Sequence, residues 1–122
     1  PGTGAAHETG RGAARGTKLN VPMPPGADDK AFFMVWEQIE SFIDHARPEF
    51  ILLQCGADSI AGDPITHLQF TDAAHGTAAA SLCEIADRYA HGRLVALGGG
   101  GYNRRNIAEG WSRVVQEMVD QT

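Results

Sequence analysis

Apolar residues at Phe32, Val35, Trp36, Ile39, Phe42 and Ile43 recur at steps of three and four, the period of one greasy helix face. Asp28 or Asp29 heads the run, where a short acidic side chain caps free amides, and Pro48 closes the connection. "EFILLQC", residues 49–55, is apolar with little alternation, which predicts a strand covered on both faces. The helical period returns after Thr71 and Asp72. It places Ala78, Leu82, Ile85, Ala86 and Tyr89 on a buried face, with Gly92 as the stop. Arg93 to Leu97 reads as another covered strand, breaking into four glycines. A last stripe follows at Ile107, Ala108, Trp111, Val114, Val115 and Met118. Upstream, "KLNVPM" at 18–23 reads as a short strand stopped by Pro22, Pro24 and Pro25. Residues 1–17 have almost no apolar anchor and read as loop.

The order β-α-β-loop-α-β-α predicts an α/β fold: a parallel sheet with flanking helices joined by right-handed crossovers. In such sheets ligands sit beyond the carboxyl ends of the strands. Both conspicuous loops, "GADSIAGDP" at 56–64 and "GGGGYN" at 98–103, lie there.

Charge and composition narrow the partners. The net charge of -5 argues against a nucleic-acid or anionic-membrane partner, because phosphate binding needs clustered Lys and Arg. No apolar run approaches the ~20 residues of a membrane span. Cys55 and Cys83 read as free thiols in a reducing, cytoplasmic compartment. The opening "PGTGAAHETG" has no initiator methionine and reads as a piece of a longer chain.

The four glycines lack the third glycine of a dinucleotide fingerprint, where Asn103 stands, and the Lys-Ser/Thr of a P-loop. Phosphate binding is therefore the weakest of three readings. Close passage of the backbone against another element is a second. The third is close approach to a substrate, with Tyr102 donating a hydrogen bond to a developing oxyanion. Asp58 reads as a cap for loop amides. Asp63, stiffened between Gly62 and Pro64, is either a turn residue or a metal ligand, since Zn²⁺ accepts carboxylate oxygen beside histidine nitrogen. His67 and His75 are the nearest candidate partners in sequence. Arg104 and Arg105 read as a solvated pair.

"LNVPMPPG" at 19–26, "LLQCGADSIAGDP" at 52–64, "LGGGGYN" at 97–103 and "RNIAEGW" at 105–111, with "PGTG" at 1–4, resemble the C-terminal part of the zinc-dependent histone deacetylase family. That family includes bacterial acetoin-utilisation and acetylpolyamine amidohydrolase relatives. The resemblance covers nearly the whole chain. It implies a three-layer arginase/deacetylase-like α/β fold, present here as a partial domain, with residues 18–122 as its C-terminal portion. It makes Asp63 one of three zinc ligands and Tyr102 the hydroxyl that polarises the acetamide carbonyl. Phe70 would line the acyl-lysine tunnel, and Gly99 and Gly100 its floor. The substrate would be an acetylated amine. The family's Asp-x-His ligand segment and general-base histidines have no counterpart in this sequence, so the expectation is a segment that alone binds no zinc and is inactive. Its exposed sheet edge would favour self-association. The rival expectation is a non-catalytic α/β binding module.

Overall fold

The computed structural model describes residues 3–121; Pro1 and Gly2 of the "PGTG" stretch lie outside the described residues. Three helices and two strands carry the fold: α1 (Asp29–Ala46), β1 (Ile51–Gln54), α2 (Asp72–Ala90), β2 (Leu94–Leu97) and α3 (Arg104–Asp120). Each helix starts on a side-chain cap of the type that satisfies otherwise unpaired first-turn amides. Asp28 accepts from Ala31 N, Thr71 from Ala73 N and Asn103 from Arg105 N. α2 ends with His91 in the left-handed region, one residue ahead of the expected Gly92, which is also left-handed.

β1 and β2 pair in parallel, Ile51 opposite Leu94 through Gln54 opposite Leu97. Their side chains alternate. Ile51 packs with Leu82, Ile85, Ala86 and Ala90 of α2, and Leu94 and Leu53 lie against that cluster. Leu53 and Ala96 also border a second cluster of Cys55, Ala79 and Val114. The opposite face is open: Leu52 is 68% exposed, and Val95 and Leu97 are also exposed. The expectation of strands covered on both faces is thus corrected for this chain. The apolar runs are real, but α2 and α3 bury only alternate positions.

Two further expectations change. Residues 18–23 form no strand. Pro22 has no backbone amide to give a ladder, and the segment is tied instead through the Asn20 side chain, whose Nδ2 donates to the Ala5 carbonyl at 2.9 Å. On α3, Ala108 and Val115 are exposed, while Asn106 and Gly110 join Val114 as the buried residues. The inward strip is shifted because Gly110 permits close approach: a Cβ there would lie 2.8 Å from Ile60 Cδ1.

Candidate functional site

Because β1 and β2 are parallel, the loops that follow them emerge at the same end of the sheet. The ladder continues into them: Cys55 N donates to Leu97 O at 2.7 Å, and Ala57 N to Gly100 O at 2.7 Å. This backbone-on-backbone contact accounts for the glycines. A Cβ at Gly99 would fall 3.0 Å from Gly56 Cα and 2.6 Å from Gln54 Nε2, and the Asp58 carboxylate occupies the space beside Gly100. Asp58 does not cap the loop. Among the described residues no amide donates to its carboxylate, and its carbonyl accepts from the Thr66 hydroxyl. Gly101 has φ +141°, a conformation L side chains rarely adopt, and the residue after it, Tyr102, turns its backbone amide to the Asp63 loop.

There Asp63 meets Tyr102. Asp63 Oδ2 accepts the Tyr102 N–H at 2.9 Å across 39 residues of sequence, while Oδ1 accepts from Ile65 N at 2.8 Å and Thr66 N at 3.3 Å. Asp63 is buried, whereas Tyr102 is 60% exposed. Among the described residues none bonds the Tyr102 hydroxyl. Burial by itself would raise the Asp63 pKa, but the amides of Tyr102, Ile65 and Thr66 stabilise the charged form and hold it below the usual 3.8.

A carboxyl whose pKa is lower in the folded state stabilises that state above its unfolded pKa, and the contribution is lost as pH falls through the folded pKa. The Tyr102 and Ile65 amides are therefore expected to keep their exchange protection at pH 5 and lose it below about pH 3.8, ahead of the α2 amides. Hydrogen exchange followed against pH checks this, and protection that survives at low pH contradicts it.

The carboxylate is held by a folded frame. His75, in the first turn of α2, lies 2.9 Å from Gly56 O through Nε2, and its buried Nδ1 has no partner among the described residues. A carbonyl can only accept, so Nε2 carries the proton. Asn106 donates to Ile60 O and Ala61 O, both at 3.1 Å, and Asn103 to Gly62 O at 3.2 Å. Gly62 turns the chain at φ +87°. His75, a candidate metal partner of Asp63 in the sequence, instead holds the Gly56 carbonyl; Asn106 did not stand out in the sequence, because it lies beside the apolar stripe of α3 and not on it.

Phe70 is buried, with its ring edge-on to Phe32 at 5.5 Å and packed with Ala27 and Ala74. Its backbone pairs with the aspartate loop: Phe70 N donates to Ser59 O at 3.1 Å and Phe70 O accepts from Ala61 N at 2.9 Å. With Gly56, Ser59 and His75 it borders a cavity of about 250 Å³ behind that loop. Gly99 and Gly100 sit against Gln54, Gly56 and Asp58. Cys55 and Cys83 are free thiols, and burial raises the pKa of both. Arg105 pairs with Glu109 at 2.7 Å on the exposed face of α3.

A single fixed carboxylate suits one position of a zinc shell. Among the described residues, no group of three His, Cys, Asp or Glu side chains converges to hold a metal, and no helix is long and apolar enough to cross a membrane.

A family model for the histone deacetylase domain matches residues 1–118. Among curated proteins, the chain is 35% identical over 113 residues to histone deacetylase clr6 of Schizosaccharomyces pombe, covering 92% of this chain and 27% of that protein. It is 32% identical over 123 residues to the acetoin utilization protein AcuC of Staphylococcus aureus, covering 99% of this chain and 32% of that protein. A crystal structure of the HDA15 HD domain superimposes with a TM-score of 0.89 at 27% identity, covering 98% of this chain and 33% of the other. The chain thus spans about a third or less of the relatives it matches.

Proposed function

This chain belongs to the histone deacetylase family, and we propose that it is the C-terminal segment of a zinc-dependent deacetylase that hydrolyses an N-acetyl amide, releasing acetate and a free amine. The observation that carries this reading is the 2.9 Å hydrogen bond from Tyr102 N to Asp63 Oδ2. It sets the backbone of Tyr102, on the glycine loop, against the carboxylate of Asp63, and this supports reading the two residues as parts of one site.

Asp63 supplies one anionic oxygen to zinc, and its amide bonds keep the carboxylate ionised and oriented. Asp63, with ligands from elsewhere in a complete domain, would hold zinc, which would supply Lewis acidity toward the amide carbonyl and toward a water molecule. Tyr102 donates a hydrogen bond from its hydroxyl to the carbonyl oxygen as negative charge develops there. Gly99 and Gly100 contribute fixed backbone as the floor of the acyl-lysine tunnel, and Phe70, whose backbone pairs with the Asp63 loop, lines it. The exposed Leu52, Val95 and Leu97 form the face on which the rest of a complete domain packs, and in the isolated chain they favour self-association.

The test is acetate release. A domain that contains this segment together with the missing ligands is expected to bind zinc and deacetylate an acetyl-lysine peptide, with activity removed by a chelator. Zinc-loaded protein that releases no acetate from acetyl-lysine or acetylpolyamine substrates would leave the non-catalytic binding module as the surviving reading.

A further inference from the structure

The bond between Asp63 and Tyr102 joins two loops that have no covalent reason to stay in register. The side chain that ties them is Asn106, which is 5% exposed and sits one helical turn after Tyr102. Its Nδ2 donates to Ile60 O and to Ala61 O, both at 3.1 Å. The two acceptors are carbonyls, so the NH₂ end of the amide must face them. Ile60 O also accepts the N–H of Asp63 itself at 3.2 Å, closing the turn that presents the carboxylate. One turn further along α3, Gly110 lets the same helix face meet Ile60. The other tethers differ. The Asn103 bond to Gly62 O is exposed, where water can replace it, and His75 holds Gly56, at the far end of the loop.

We propose that Asn106 is the positioning residue that sets the Asp63 carboxylate against the Tyr102 segment. A single buried amide fixes the turn carrying the aspartate relative to the helix that begins beside the tyrosine. With it gone, the Ile60 carbonyl keeps only the Asp63 N–H, the Ala61 carbonyl loses its side-chain donor, and the turn loses its buried link to α3. The functional consequence, a misplaced metal ligand, rests on the reading of Asp63 given above; the geometric claim does not.

The experiment is residue-resolved hydrogen exchange on the 122-residue chain and on its Asn106→Ala and Asn106→Asp variants. The expected result is exchange about tenfold faster at the Tyr102 and Ile65 amides, the size of one hydrogen bond, with the α2 amides around Ile85 unchanged. Unchanged protection at Tyr102 in a folded variant overturns the proposal. So does uniform acceleration everywhere, which marks a merely structural residue. A measurement without substitution covers variants that fail to fold. In the unsubstituted chain under rising denaturant, the Asn106 side-chain amide and the Tyr102 backbone amide are expected to open together, before α2; separate opening overturns the proposal. The metal reading has its own readout, zinc retention after loss of Asp63. Zinc retained there, with Tyr102 exchange still sensitive to Asn106, would sink the ligand assignment and leave the positioning role standing.

Discussion

Asp63→Ala, made in a deacetylase domain that contains this segment, is expected to weaken zinc binding by more than about a hundredfold and to abolish zinc-dependent acetate release. Replacing outer partners of metal ligands costs roughly 10- to 100-fold in affinity, and removal of a ligand itself exceeds that. The substitution also takes the acceptor away from three amides at once, those of Tyr102, Ile65 and Thr66. Asp63→Asn separates the two effects. One oxygen remains to accept from an amide, but the charge that favours zinc is gone, so the loop is expected to keep more order than in the alanine variant while zinc affinity still falls. Metal analysis after equilibrium dialysis, read beside Tyr102 amide exchange, distinguishes them. Stoichiometric zinc retained in both variants would remove Asp63 from the metal shell.

Tyr102→Phe in the same domain is expected to lower kcat by about 10² to 10³, the usual loss for one oxyanion-directed donor, with zinc content and KM little changed. The backbone explains why the change is clean. The bond to Asp63 runs through the Tyr102 amide, which phenylalanine keeps. The hydroxyl has no structural partner among the described residues, and the side chain is 60% exposed, so folding loses little. A steady-state comparison on an acetyl-lysine peptide measures the effect. Full activity in the phenylalanine variant would show that the hydroxyl takes no part.

Most of the local structure was legible in the sequence. The three helices announce themselves by apolar period, and the first two also by helix starts at Asp28 and Thr71; the Asn103 cap of α3 emerges only in the structure. The two strands do so by apolar runs that end in turn chemistry, and a parallel pair sends both of its loops to one end. Histone deacetylase family membership was equally legible, because "GADSIAGDP" and "GGGGYN" are contiguous motifs whose order and spacing survive in the bare string. The rest depended on distances between segments remote in sequence. "KLNVPM" looks like a strand by composition, but a strand exists only where a neighbour offers a ladder, and none among the described residues pairs with it. Ala108 and Val115 fit the helical stripe by period, yet Asn106 and Gly110 are buried in their place, because Ile60 comes close enough to need a helix without a Cβ and a helix with an amide. The partners of Asp63 could not be read either. Which oxygen meets which amide is a matter of a few tenths of an ångström between two loops, and hydrogen-bond geometry at that scale is set by packing, after every local preference has been satisfied.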